Sequence, residues 1–146
     1  MKTSAVDIIS ILQITFVCLC RYSQLYDEYP HKINRADVRR LFILYLYGGI
    51  FADLDVECLK RVEDVLHEHS CILAQEPVEH QALHYDYKHP GYATPAFMAC
   101  SPRHPFFKFV LQLLPTFAVN AHKLPWNDNI LNSTGPMFIS MARYVQ

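Results

Sequence analysis

The feature that most constrains this chain is a pair of acids, Asp53 and Asp55, which follow a glycine pair and a short apolar run. Before the glycines, apolar residues recur at helical spacing, which predicts an amphipathic helix over 34–47. The glycines at 48–49 supply the permissive backbone at which helices commonly end. The apolar run 50–52 then predicts a buried strand. The chain is therefore expected to pass from helix to strand and to end that strand in two acids.

The start of this helix has a capping signal. Asn34 is predicted as the N-cap, because its side-chain oxygen can accept a hydrogen bond from an N–H of the first turn. Asp37 stands three residues on, in the place of a capping-box acid. The predicted apolar face consists of Val38, Leu41, Phe42 and Tyr45.

The two aspartates are expected to share one face of the strand, since side chains alternate along extended chain. Two like charges at the end of a buried strand are costly unless a cation neutralises them, and oxygen ligands suit Mg²⁺ or Mn²⁺. The pattern thus favours a site for a metal–diphosphate. A lone Asp-x-Asp is a weak pattern, and the alternative is a strand followed by a polar turn.

The surrounding residues add a family resemblance. The run RADVRRLFILYLYGGIFADLDVECL resembles the core motif of the DXD-containing sugar-transferase family, which includes mannosyl-inositol-phosphoceramide mannosyltransferases, an initiating mannosyltransferase of N-glycan outer chains and the glucosylating clostridial toxins. The matching positions are Asp37, Arg40, the run 47–51, Asp53 and Asp55. Blocks at 76–80, 96–107 and 133–138 also resemble the family.

The resemblance implies a fold. It indicates an α/β domain of the partial GT-A-like, Rossmann-like nucleotide-sugar type, with a mixed sheet flanked by helices and incomplete at both ends. We divide the chain into an N-terminal apolar segment, 1–21, and a glycosyltransferase core, 22–146, which we expect to be truncated.

The resemblance also implies donor-side roles. Asp55 would ligate Mn²⁺ (or Mg²⁺), and Asp53 would bind ribose, sugar or metal-bound water, so both count as catalytic. Arg40 would meet the donor sugar or phosphate, and Asp37 would accept from sugar hydroxyls. Phe51 stands where the family often has tyrosine, so ring stacking is kept without a hydroxyl. The alternative for Asp37 and Arg40 is a plain intrahelical salt bridge.

Acceptor-side residues come from the later blocks. They are Glu76, His80, Thr134 and Gly135. One position departs from the family: Pro95 replaces the asparagine of an Asn-Ala-Phe-Met block, and proline offers no side-chain hydrogen bond.

The implied function is transfer of a hexose, foremost mannose from GDP-mannose with UDP-hexose as the other donor, onto a glycolipid or glycan hydroxyl. Synthesis of mannosyl-inositol-phosphoceramide is the expected pathway class. The alternative is an inactive, truncated remnant that binds sugar nucleotide weakly or binds a partner. A Mg²⁺-dependent phosphohydrolase is a third reading, but its nucleophilic aspartate followed by lysine is not apparent.

Charge and hydropathy bear on partners and location. A net charge of −1 gives no basic field for nucleic acid. The apolar run within residues 5–20 predicts membrane attachment as a signal anchor or secretory h-region, and a buried helix is the alternative. The resemblance implies the lumenal side of a Golgi or other secretory membrane. Asn132-Ser133-Thr134 is a glycosylation sequon. Five cysteines without a zinc-like pair define no disulfide framework.

The remaining elements follow from local patterns. We expect strands over 70–77 and 92–100, with Pro95 at an edge or a bulge. Ser101-Pro102 predicts a helix start with an apolar stripe reaching Pro115. The segment 122–132, which holds Trp126, is expected to be a loop before a final helix at 137–145. His80 and His84 have zinc-like spacing, but the nearby prolines favour loop histidines.

Overall fold

The computed structural model describes residues 22–77, 79, 91–121 and 123–145. Its helices are α1 (Ser23–Glu28), α2 (Lys32–Tyr47), α3 (Glu63–Leu66), α4 (Pro105–Ala121), α5 (Trp126–Ser133) and α6 (Pro136–Val145), and its strands are β1 (Gly49–Ala52), β2 (Cys71–Gln75) and β3 (Ala93–Cys100). The predicted membrane-attached segment and the His80–His84 pair lie outside these residues.

The three described strands form one sheet in the order β1-β3-β2, and both pairings are antiparallel. β3 is therefore central, and helices pack on the sheet, which confirms the α/β class. Pro95 lies in this central strand, where a proline would remove a ladder hydrogen bond. The register between β2 and β3 shifts at Leu73/Ala74, opposite the segment that contains Pro95. The predicted bulge is confirmed, and it accommodates the proline.

Helix α2 begins earlier than predicted. Its N-cap is His31, and Asn34 lies inside the first turns, buried, so the prediction of Asn34 as a cap is wrong. The side chain of this asparagine instead donates hydrogen bonds to Ser133 and Thr134, which are distant in the sequence. The predicted apolar face is confirmed, with Val38, Leu41 and Phe42 in the core.

The turn from helix to strand depends on glycine. Gly48 ends α2 with φ 63°, and its N–H donates to the Leu44 carbonyl at 2.8 Å. A Cβ at Gly48 would lie 2.6 Å from the Pro102 nitrogen, so both the dihedral and the space require glycine. β1 then follows at the sheet edge, and Ile50 is half exposed, so the prediction of a buried strand is wrong for this element.

Two predictions about the C-terminal half need correction. Helix α4 begins at Pro105, since Pro102 and Arg103 form a turn, and it continues through Pro115. Its apolar stripe extends past the proline to Ala118, which is buried, so packing outweighs the lost backbone hydrogen bond. The segment predicted as a loop at 122–132 contains α5. The predicted final helix is confirmed as α6.

Candidate donor-binding site

Arg40 is the centre of a polar cluster at the junction of α2, β1 and β3. Its Nη2 lies 2.8 Å from Oδ1 of Asp37, one helical turn earlier. Its Nη1 lies 3.3 Å from Oδ1 of Asp53 and donates to the carbonyl of Pro95 at 3.1 Å. The guanidinium carbon is 4.4 Å from the ring centroid of Phe51. One side chain therefore ties helix, edge strand and central strand together.

These contacts come from the fold of the neighbouring elements. The Gly48 turn reverses the chain so that the end of β1 returns past the middle of α2. The N–H of Asp53 donates to the Ala96 carbonyl at 2.8 Å, which holds that acid beside the bulge. The bulge in turn directs the Pro95 carbonyl toward Arg40. The side chain of Pro95 offers no polar contact, but its backbone does.

Asp37 is buried on the helix side of the cluster, with 4% exposure. Its Oδ1 pairs with Arg40, and its Oδ2 accepts a hydrogen bond from the hydroxyl of Thr134 at 2.8 Å. Asp37 and Arg40 thus form the intrahelical ion pair that their spacing predicts, and the pair also engages other elements. An exposed intrahelical ion pair stabilises a helix by only a few tenths of a kcal/mol. That value does not apply to this pair, because it is buried.

The Thr134 hydroxyl belongs to a second, fully buried group. Nδ2 of Asn34 donates to Oγ of Ser133 at 3.0 Å and to Oγ1 of Thr134 at 3.2 Å. All three side chains have 1% exposure or less. They join the start of α2 to the junction between α5 and α6. The threonine of the predicted sequon is therefore engaged inside the fold.

Burial sets the ionisation of the cluster. It raises the pKa of Asp37 from 3.8 to about 6, against the Arg40 charge and the Thr134 hydrogen bond, which lower it; the Asp53 charge raises it further. Burial also raises the pKa of Tyr29, and the Asp37 charge adds to that rise. Asp37 therefore changes charge near pH 6, and its ionised form is favoured by its cationic and hydroxyl partners.

The Asp-x-Asp segment itself is a turn and not extended strand. The Val56 N–H donates to the Asp53 carbonyl at 3.1 Å, so the expectation that both acids share a strand face does not hold. The Asp53 side chain is 37% exposed, while Asp55 is exposed in the turn. Both carboxylates remain open at the rim of the cluster.

This arrangement fits a divalent ion held partly by substrate. Among the residues that the structure describes, no three His, Cys, Asp or Glu side chains are grouped to hold a metal. Mg²⁺ is commonly bound by one or two carboxylates together with substrate phosphates and waters. Asp53 and Asp55 match that requirement. The predicted role of both acids as metal ligands stays a prediction.

Several buried polar atoms near Asp37 have no hydrogen-bond partner within the described part of the chain. They are the Tyr29 hydroxyl, Oδ1 of Asn34 and Nε of Arg40. A buried polar atom left unpaired is costly, and such atoms are expected to meet water or ligand. The tyrosine hydroxyl can donate or accept, the amide oxygen accepts and the arginine Nε donates. The cluster therefore has unused hydrogen-bonding capacity.

The predicted donor-side residues Asp37, Arg40, Phe51 and Asp53 lie together. The predicted acceptor-side residues have different surroundings. Thr134 contacts Asp37, and Gly135 is buried just before α6, where a Cβ would lie 2.9 Å from the Ile130 carbonyl. Glu76 follows β2, half-buried, with its N–H donating to the Tyr92 carbonyl. His80 lies outside the described residues.

Three residues of the cluster were not predicted from the sequence. The sequence predicts Asn34 as a cap, and it indicates no role at the site for Ser133 or Tyr29. A signal existed for the first: Asn34, Asp37 and Arg40 are spaced by three, a polar stripe beside the apolar face of one helix. Partners 99 and 100 residues away leave no local signal.

Comparison with known proteins gives a family match over the part of the chain that holds Arg40 and its partners. Residues 3–73 match the family described as glycosyltransferase sugar-binding region containing DXD motif, a range that includes Asp37, Arg40, Asp53 and Asp55. This match, on an α/β fold, indicates a glycosyltransferase-type protein. The chain belongs to the DXD-containing glycosyltransferase family.

Individual relatives are more specific. The chain is 39% identical over 116 residues to inositol phosphoceramide mannosyltransferase 3 of Schizosaccharomyces pombe, covering 80% of this chain and 28% of that protein. It is 34% identical over 117 residues to mannosyl phosphorylinositol ceramide synthase CSH1 of Saccharomyces cerevisiae, covering 80% and 27%. The chain thus spans little more than a quarter of these relatives. Within its described residues, no helix combines the length and apolar character needed to cross a membrane.

Proposed function

We propose that this chain carries the donor-binding core of a hexosyltransferase that moves mannose from GDP-mannose to a hydroxyl of an inositol phosphoceramide-type glycolipid, with Mn²⁺ or Mg²⁺. The observation that carries the proposal is the position of Arg40 between Asp37 and Asp53 and against Phe51. The relatives named for inositol phosphoceramide mannosylation support the sugar and the acceptor. They do not favour the alternative of an inactive remnant. We further propose the lumenal side of a secretory-pathway membrane as its location.

Each side chain would have a distinct task. Ionised Asp37 would accept hydrogen bonds from sugar hydroxyls, and Arg40 would donate to the sugar or to a phosphate oxygen through its planar fork. Phe51 keeps the guanidinium in place by stacking, at 4.4 Å. Holding the sugar between a fixed carboxylate and a fixed guanidinium would orient its anomeric carbon, which lowers the entropic part of the barrier.

In the reaction, an acceptor oxygen bonds to the anomeric carbon while the bond from that carbon to the diphosphate oxygen breaks. The electron pair leaves with the nucleoside diphosphate, and the acceptor proton is released to phosphate or solvent. Asp53 and Asp55 would hold the divalent ion, which when bound neutralises charge on the diphosphate. Arg40, beside Asp53, adds a fixed positive charge to that stabilisation.

The test is binding followed by transfer. GDP-mannose with Mn²⁺ should raise the melting temperature of the full chain, because a ligand that binds the native state stabilises it. Asp55→Ala should remove the Mn²⁺-dependent part of the shift, while Asp64→Ala, in the exposed helix α3, should leave it unchanged. Labelled mannose should then appear on inositol phosphoceramide. Absence of any shift with GDP-mannose or UDP-hexose would refute the proposal.

A further inference from the structure

The hydrogen bonds behind Asp37 have a fixed direction. An ionised carboxylate only accepts, so the Thr134 hydroxyl must donate its one proton to Oδ2 of Asp37 across 2.8 Å. The oxygen of that hydroxyl is then left to accept, and Nδ2 of Asn34 donates to it at 3.2 Å. The chain of donors therefore runs from Asn34 to Thr134 to Asp37, and the charge of Asp37 determines how the amide of Asn34 is oriented.

These hydrogen bonds are largely buried, and of the three side chains Asp37 keeps the most exposure. Asn34 and Thr134 have 0% and 1% exposure, and Asp37 has 4%. Hydrogen bonds to a buried charge are stronger than those between neutral groups, because little water competes for the same atoms. The Thr134 bond is therefore a substantial part of what fixes the Asp37 carboxylate, and it leaves Oδ1 for Arg40.

We propose that Thr134, held by Asn34, is a positioning residue that fixes the orientation of the Asp37 carboxylate for the donor sugar. It does so from behind that carboxylate and not on the acceptor side where the family resemblance suggested it. This inference rests on the proposed function for the sugar, but the positioning itself concerns residues of this chain alone. Thr134 acts through Asp37 and does not itself contact the reacting atoms.

The neighbouring Ser133 supplies a matched control. It is as deeply buried as Thr134 and accepts from the same Asn34 amide at 3.0 Å, and its described hydrogen bond does not involve Asp37. Loss of the Ser133 hydroxyl removes a similar buried hydrogen bond from the same Asn34 amide. Any effect specific to Asp37 should therefore separate Thr134 from Ser133.

The primary readout is the ionisation of Asp37, followed by its ¹³C carboxyl shift in the full chain and assigned with Asp37→Asn. The charged and titratable groups identified as acting electrostatically with Asp37 are Arg40 on α2, Asp53 beyond β1 and Tyr29 before α2. The Thr134 bond favours the charged form, so Thr134→Val should raise the titration midpoint by about one pH unit. Thr134→Ser should restore it, and Ser133→Ala should leave it near the wild-type value.

The second readout is the affinity for GDP-mannose in the presence of Mn²⁺. Thr134→Val should weaken it about tenfold, as expected for one hydrogen bond to a charged group, and Thr134→Ser should rescue it. Melting curves of each variant verify that it is folded. An unchanged Asp37 midpoint in folded Thr134→Val overturns the positioning role. A shifted midpoint in a chain that binds no sugar nucleotide leaves the positioning intact and overturns the proposed function.

Discussion

Arg40 and Asp53 lie 13 positions apart in the chain and meet at 3.3 Å, at the point where an edge strand passes into the Asp-x-Asp turn. The arginine belongs to α2, and the aspartate is held to the central strand by its backbone. Their contact therefore couples the helix that would bind the sugar to the turn that would bind the diphosphate. The planar geometry of the guanidinium, and not its charge alone, is therefore expected to determine donor binding.

Arg40→Lys should weaken GDP-mannose binding about 10- to 100-fold, because an ammonium is a point charge that cannot serve both carboxylates, the Pro95 carbonyl and the Phe51 ring at once. The measurement is a titration by calorimetry in Mn²⁺. The matched control is Arg39→Lys, an exposed arginine of the same helix that donates to the Tyr26 hydroxyl. Equal losses in both variants would contradict a specific role for Arg40.

Asp37 should make stability depend on pH. Burial raises its pKa from 3.8 to about 6, so the native state retains a proton that the unfolded state has released between those values. Stability must then fall as pH rises through this window and level off above it. Relative to Asp37→Asn, the wild type should lose on the order of 3 kcal/mol between pH 4 and 7.

Urea unfolding of both proteins at several pH values measures this difference. Asp64→Asn, at an exposed position, serves as the control and should track the wild type. Donor affinity should change in the opposite direction, rising as pH passes 6, because the ionised carboxylate is the acceptor for sugar hydroxyls. A flat difference between wild type and Asp37→Asn would show that the carboxyl is not buried as the structure has it.

Local patterns located the elements at the centre of the site. The 3.6-residue periodicity of α2, the glycine pair and the short apolar run predicted a helix, its end and a strand, while the roles of Arg40 and Asp53 came from the family resemblance. The contact between Arg40 and Asp53 spans 13 residues and depends on the single turn at the glycine pair. The bulge was also predictable, since a proline within a strand is found only at a sheet edge, at the first residue or at a bulge.

The rear of the site was not predictable in this way. Thr134 contacts Asp37 across 97 positions, and its own position depends on α5, a segment whose polar residues after Pro125 predict a loop. The sheet order that makes β1 an edge strand is likewise a tertiary property. Asn34 satisfied a capping pattern that any surface helix could have, and burial against α5 gave it another role.

Pro95→Asn tests the position that departs from the family resemblance. The Pro95 carbonyl already accepts from Arg40, and the substitution keeps that carbonyl while adding a side-chain amide at this position. Because the residue lies at the bulge, the added N–H has no central ladder partner to displace. GDP-mannose affinity should rise about three- to tenfold. Pro95→Ala, which removes the ring without adding the amide, should give no gain, and a gain there would attribute the effect to backbone freedom.

The two glycines after α2 form a natural pair for testing the reversal that brings the Asp-x-Asp turn to Arg40. Gly48 and Gly49 both have positive φ, 63° and 102°, so alanine is strained at either. A Cβ at Gly48 would also lie 2.6 Å from the Pro102 nitrogen and 2.7 Å from the Cys100 carbonyl oxygen, whereas none of the described atoms lies within 4 Å of one at Gly49. Both neighbours are backbone atoms of the central strand and its following turn, so they cannot rotate away.

Gly49→Ala should therefore cost about 1–2 kcal/mol of unfolding free energy, and Gly48→Ala about 3 kcal/mol or more. Urea unfolding measures both, and equal losses would mean that the close approach of α2 to β3, which positions Arg40, is absent in solution.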